Sequence, residues 1–496
     1  MKNKLIFDTT TTMATNFTNR FILFLRGFIV ARLLDPTLYG YFSGLGLIFL
    51  YNAQAHLGIL HGMNRSLSIA KGAKDSRRFE ETKNNGISAI TILSLIISIA
   101  IIVYSIIKAH CYPRYIIWGM RIYAVVALMH HFEYIYHSLL RVDHRFKEIN
   151  ISRLIFTASN LILVVVLIYF FGFYGVLISL LTAIIFQNAY LFIKGNLTFK
   201  FTINTGILKD LLRIGAPISF AYLINVILNS IDRIMIIRFL DASQLGFYGI
   251  ALAFSTELLL RIPNTISYVI YPRILQKYGE SGNTNSLINL FQAPSIFIAC
   301  VMVTAIGLLF LTIEYIITYL LPNYIPAILV TKILIFAVYF ISINQIAVRI
   351  MITTKCTKAL ISFQLVAIML NIIVNYLVIR KGMGITGVAL ATAFSYSFYS
   401  FGVTYYTLNK LYNNFLLSMK EQCRLYVPII YCSMVLFVLS KIPHLNPVIS
   451  EYFFHDIMVV ALNMLTFSIM MSPFILYLSR MSNIKIFLKT QAEQGS

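Results

Sequence analysis

Acidic residues are scarce in this chain. Asp and Glu number 18 among 496 residues against 40 Lys and Arg, and charged residues of both signs make up 12%. A soluble domain carries about twice that share, so a water-facing surface for the whole chain is excluded. Cysteine is sparse too. Cys111, Cys300, Cys356, Cys423 and Cys432 stand apart without C-x-x-C spacing, which excludes a disulfide framework or zinc knuckle and leaves them as small apolar residues. No G-x-x-x-x-G-K-[ST] phosphate loop occurs, so the chain has no recognisable ATP-hydrolysing module. GMGITG at 382–387 formally satisfies G-x-G-x-x-G, but it joins two apolar runs with no strand before it and reads as a turn. Lys2 and Lys4 are followed by DTTTTMATN rather than a short apolar core and cleavage site, so the first helix is expected to stay in place. With no paired carboxylates, nucleophile motif or metal signature on a loop, neither an enzyme nor a cofactor or metal site is expected.

What the chain has is apolar surface. Hydrophobic residues make up 59% and mean hydropathy is +0.80, which places the chain in a bilayer. At about 20 residues per crossing, the sequence divides into about fourteen spans. Those of the first half are 12–34, 38–63, 85–107, 115–138, 151–171 and 172–193. The second half gives 213–239, 244–271, 291–320, 326–351, 359–380 and 384–408, followed by 424–440 and 454–478.

The halves are related. RLLDPTLYGYF at 32–42 returns 206 positions later as RFLDASQLGFY at 238–248, with Arg, Asp and Gly in the same places. GFYGVLIS at 172–179 resembles GITGVALA at 384–391, an offset of 212. Two matches at nearly one spacing indicate duplication of a six-helix unit, and an even number of crossings keeps both copies in the same orientation. The expected fold is an all-α integral membrane protein, with two six-helix lobes related by a pseudo-two-fold axis along the membrane normal and two C-terminal helices appended. Its expected divisions are 1–200, 201–410 and 411–496, with the substrate path between the lobes.

A formal charge of +22 is first a statement about topology. With the N-terminus inside, about 25 Lys and Arg fall in cytoplasmic loops and tails and about seven on the opposite side. Both termini are therefore expected in the cytoplasm. Attraction of this basic face to anionic lipid accounts for the rest, and no nucleic acid is implied.

Ionisable groups inside spans are costly and therefore candidates for function. They are Arg20, Arg26, Arg121, Glu133, Asp232, Arg233, Glu257, Arg261, Glu314, Lys332 and Arg349. Arg121, Glu314, Lys332 and Arg349 lie nearer span ends, where snorkelling or structural pairing is the expected use. The mid-membrane candidates form polar stripes. Asn19 and Arg26 are seven apart, as are Asn225 and Asp232, with Asn229 between the latter pair on the same face. Asn52 and His56 are four apart and extend the lining, or serve as interhelical hydrogen-bonding residues. Glu257 and Arg261, also four apart, are as well suited to an ion pair as to a cavity. His130, Glu133 and His137 share one helical face, and a hydrogen-bonded stripe is expected there in preference to a metal site.

These stretches resemble a family. TNFTNRFILFLRGFIVARLLDPTLYGYFS at 15–43 is similar to the opening of polysaccharide flippases of the multidrug/oligosaccharidyl-lipid/polysaccharide exporter superfamily. LLRIGAPISF (211–220), NSIDRIMIIRFLDASQLGFYGIA (229–251), IPNTISYVIYPRI (262–274), LPNYIPA (321–327) and GITGVALATAFS (384–395) follow in family order. The resemblance implies an inner-membrane flippase for an undecaprenyl-pyrophosphate-linked oligosaccharide such as an O-antigen repeat unit, moved to the periplasmic leaflet by alternating access. It also implies H+ or Na+ as candidate coupling ions and a glycan polymerase and chain-length regulator as partners. In the related cell-wall lipid flippase, arginines of the first and eighth helices face a cationic cavity, and Arg20, Arg26 and Arg261 occupy the corresponding helices here. A guanidinium suits such cargo, since its planar donors match phosphate oxygens. Asn52, Asn225 and Asn229 suit a hydrated sugar path. A lipid II flippase, a cation-coupled multidrug exporter and a non-transporting scaffold of a glycan-assembly complex remain alternatives, the exporter being disfavoured by the basic balance of mid-membrane charges.

Overall fold

A computed structural model of the protein describes residues 2–195, 198–442 and 453–481, and every regular element among them is helical. Among the described residues, ten stretches are long and apolar enough to cross a bilayer. Helices α5 (Arg114–Val142) and α16 (Gly384–Tyr412) have the length, at 29 residues each. Arg121, His130 and His131 dilute the apolar run of α5, as serines, threonines and tyrosines do that of α16. Large apolar side chains lie open on the outside, Tyr169 at 86% and Leu416 at 77% exposure. Such surface is stable against lipid tails and not against water.

The helices gather into two compact units, Met1–Ser230 and Ile231–Ser496. In the first, α1 (Lys2–Leu33) packs on α6 (Phe146–Phe171), α6 on α7 (Phe173–Gly195) and α7 on α5. Helix α5 also receives α4 (Ser76–Ile107) and α2 (Pro36–Asn52). The second unit repeats these pairings. Helix α9 (Ile231–Phe239) packs on α15 (Thr357–Arg380), α15 on α16, and α16 on α13 (Ala327–Ile343), which also receives α12 (Ile288–Tyr315) and α10 (Ala242–Leu252).

The repeated residues do the same physical work in each unit. Asp35 caps α2, its carboxylate accepting the amides of Thr37 at 2.8 Å and Leu38 at 3.0 Å. Asp241 caps α10, accepting from the Gln244 amide at 2.8 Å and the Ser243 hydroxyl at 2.7 Å. These donors, the hydroxyl first, hold the Asp241 carboxyl below its ordinary range. Arg32 and Arg238 stand in the last turns of α1 and α9, where a cation complements the negative end of the helix dipole. The second repeated motif is a turn. Gly172 and Gly384 adopt φ of +53° and +55°, a left-handed conformation that side chains resist. Three residues on, a Cβ at Gly175 would overlap the Leu167 carbonyl, and one at Gly387 would come within 2.7 Å of the Met383 Cβ.

Four expected spans are interrupted. The run 38–63 is broken after Asn52 and resumes as α3 (Ile59–Gly72), and 213–239 is broken between α8 (Thr205–Leu228) and α9. The run 326–351 breaks at Asn344, between α13 and α14 (Gln345–Thr353). In 244–271 a π-helical segment, Ala253–Leu259, separates α10 from α11 (Arg261–Ser281). Hydropathy does not register such breaks because the flanking residues stay apolar. Asn52, Ser230 and Asn344 at the breaks are all buried, as irregular backbone at membrane depth requires.

Candidate functional site

Within the first unit, two polar clusters lie along α1, α2, α5 and α6. Arg26 on α1 is buried at 7% exposure. Its Nε donates to Asn160 Oδ1 on α6 at 3.1 Å, and its guanidinium carbon lies 5.1 Å from the centre of the Phe42 ring on α2. The partners are neutral. Its Nη2 is buried without a hydrogen-bond partner. One turn away on α6, the Thr157 hydroxyl donates to Asn19 Oδ1 at 2.7 Å. Asn52 at the end of α2 donates to the Ala127 carbonyl on α5 at 3.2 Å and lies 3.3 Å from His131 Nδ1. His56, in the break between α2 and α3, accepts the Gly58 amide at Nδ1.

Asp232 occupies in the second unit the repeat position of Arg26. It is buried at 2% exposure. Tyr248 donates its hydroxyl to Asp232 Oδ2 at 2.5 Å, and the Arg233 amide donates to Oδ1 at 2.8 Å. Tyr248 is the counterpart of Phe42 at the same offset of 206. The repeat therefore places a buried charge against an aromatic ring in both units: the cation meets a ring face and the carboxylate a ring hydroxyl. Tyr248→Phe removes the donor and keeps the ring, so we expect a loss of about 1–3 kcal/mol, read as a lowered thermal midpoint in detergent. An unchanged midpoint would mean the hydroxyl carries no weight.

The remaining candidates are more open. Arg20 and Asn225 are exposed and Asn229 is half-buried. Asn229 Nδ2 donates to the Asn225 carbonyl at 2.7 Å and to its side-chain oxygen at 3.2 Å. Arg261 pairs with Glu257 across the end of the π-helical segment, their side chains 28% and 60% exposed. The four charges nearer span ends have structural contacts. Lys332 pairs with Glu314 at 2.6 Å. Arg349 donates to Ser267, and Arg121 donates to Ser105 and lies over the Trp118 ring.

Phe42, Tyr248, Thr157 and Asn160 were not singled out by the sequence. The first two carried a usable signal, since both fall inside the repeat at matching positions beside a span that bears a charge. Asn160 and Thr157 had none beyond being polar in an apolar run.

The family model described as polysaccharide biosynthesis protein matches residues 29–324. The chain belongs to that family. Its fold is that of the MOP superfamily of transporters. The lipid II flippase MurJ, in an inward closed conformation, matches 94% of this chain and 99% of its own at a TM-score of 0.70 and 18% identity. An inward-facing multidrug resistance MATE family transporter matches 82% of this chain and 96% of its own, at 0.64 and 16%. The eukaryotic MATE transporter AtDTX14 matches 86% and 98%, at 0.57 and 12%. No curated protein sequence matches. Family and fold together make this chain a polysaccharide biosynthesis family member built on the fold of the MOP transporters.

Proposed function

We propose that this family member flips an undecaprenyl-pyrophosphate-linked oligosaccharide, an O-antigen repeat unit or similar glycan, from the cytoplasmic to the outer leaflet of the inner membrane by alternating access. Both termini then lie in the cytoplasm. The observation that carries the reading is Arg26. A buried guanidinium bonded to an amide and a ring, with a donor to spare, retains its full charge for an anionic ligand, and pyrophosphate oxygens accept such donors in pairs. Arg20 and Arg261 supply further positive charge. Arg261 does so at reduced strength, because Glu257 neutralises part of it. The amides of Asn52, Asn225 and Asn229 serve the sugar, and the polyprenyl chain stays in lipid. A cationic drug would instead meet like charge at Arg26, which disfavours the multidrug reading.

The deciding experiment is transport by the purified protein in phosphatidylethanolamine–phosphatidylglycerol liposomes. A fluorescent short-chain polyprenyl-pyrophosphate disaccharide should cross to the inner leaflet about tenfold faster than in protein-free vesicles, while the same saccharide on a neutral polyprenol gains nothing. Equal rates for the two probes would remove the pyrophosphate from the recognition.

A further inference from the structure

The charged group least explained by glycan transport is Glu133, in the C-terminal half of α5. Its side chain is 10% exposed, with Oε2 3.3 Å from His130 Nε2 and Oε1 3.2 Å from His137 Nδ1. The Gln187 side chain on α7 bonds to it as well. Arg141 on α5 and Arg153 on α6 also face it, and Tyr134 lies against His130. Beyond His130 stand His131 and then His56 and His61, ring against ring. Lone structural carboxylates in a membrane are usually locked to one cation. Glu133 is held by two imidazoles, groups that themselves gain and lose protons.

Hydrogen counting sharpens this. Ser152 Oγ donates to the Ile149 carbonyl at 2.8 Å and lies 2.8 Å from His137 Nε2. With the hydroxyl proton on the carbonyl, Nε2 carries its own proton. The pair then has one more to place, on His137 Nδ1 or on the carboxyl oxygen. On the other side His130 Nδ1 is buried with no partner, so His130 has a vacant position for a proton. An ionised carboxylate at this depth is costly, while Arg141 and Arg153 favour it. Opposed influences of this kind make uptake and release both accessible.

We propose that Glu133, with His130 and His137, is a proton-binding site of the first unit that takes and releases one proton in each transport cycle. The proposal rests on the flippase reading for the meaning of the cycle, and it supplies the coupling ion. Helix α6 is the route to the cargo site. Its Ser152 meets His137, its Thr157 meets Asn19 and its Asn160 meets Arg26, so a proton that alters the His137–Glu133 contact acts on the helix that positions Arg26.

The first test needs no cargo and is independent of the flippase reading. The full chain in phosphatidylethanolamine–phosphatidylglycerol liposomes is titrated while infrared difference spectra are recorded. The wild type should develop, towards acid, the carbonyl band of a carboxylic acid shielded from water. Glu133→Gln should lack that band, and His137→Gln should keep it with a midpoint moved by about one pH unit. A band unchanged in Glu133→Gln overturns the proposal. Should that variant not be recovered folded, an unmoved midpoint in His137→Gln overturns it instead. The second test uses the fluorescent pyrophosphate disaccharide. An imposed pH gradient should speed the wild type about tenfold and leave Glu133→Gln unaffected. Gradient-driven transport by Glu133→Gln defeats the coupling role, whereas a wild type that moves no probe defeats the flippase reading and leaves the infrared result standing.

Discussion

Gly215→Val should remove most of the folded protein from the membrane. Helix α8 crosses α3 through glycines: a Cβ on Gly215 would overlap the Gly58 carbonyl oxygen and come within 2.8 Å of the Gly62 amide nitrogen. All of these are backbone atoms, so no side chain can swing aside. The same crossing seats Leu211 in a core of Ile59, Leu60, Met63, Leu67 and Ile87. In lipid this core is held by close packing rather than by exclusion of water, and small residues at the crossing are what permits it. Forcing the helices apart should cost ~3 kcal/mol. The effect reaches the site, because Gly58 donates its amide to His56 and holds φ of +94° at the break between α2 and α3. Membrane abundance and thermal midpoint in detergent are the measurements, with Gly279→Ala as control, since a Cβ there meets nothing within 4 Å. A Gly215→Val protein equal to wild type in both would refute the account of the crossing.

How far the sequence alone reaches is visible in the repeat. Its Asp and Arg were conspicuous as matching letters, and the structure turns them into helix caps and dipole partners because those roles depend on residues within a turn of each other. The all-helical membrane fold was legible for a similar reason: apolar runs of bilayer length leave the backbone little choice. Breaks within spans were not legible. At 53–58 and 229–230 only the short stretches AQAHLG and NS mark the turn, too few polar residues to end the apolar runs that flank them. The candidate site was legible as charges and illegible as partners. Spacing of three and four put His130, Glu133 and His137 on one face, yet nothing in the sequence pointed to Gln187 on α7 or Ser152 on α6. Likewise the offset of 206 puts Arg26 and Asp232 at equivalent positions, while the rings that accompany them, Phe42 and Tyr248, are two among 38 Phe and 31 Tyr.

Arg26→Ala should lower transport of the pyrophosphate probe by about 10- to 100-fold at wild-type protein abundance, the scale set by one or two charge-assisted hydrogen bonds. The loss has two sources that can be separated. Truncation removes the donors meant for phosphate, and it also takes a partner from Asn160 Oδ1, which the Ser179 hydroxyl reaches at 3.3 Å when it turns from the Val176 carbonyl. Because that acceptor stays partly satisfied, the fold should survive, and the cost falls on transport. Arg26→Lys should recover part of the rate: an ammonium keeps the charge over Phe42 but lacks the planar fork that serves Asn160 and a phosphate together. Phe42→Leu tests the remaining contact, with a smaller loss of about threefold from the missing ring face. The order Arg, Lys, Ala is the diagnostic outcome. A purely structural Arg26 would give Lys and Ala proteins with lowered abundance and normal rate per molecule, and a role as positive charge alone would make Lys equal to Arg. Only a guanidinium that works as a paired donor predicts three distinct rates.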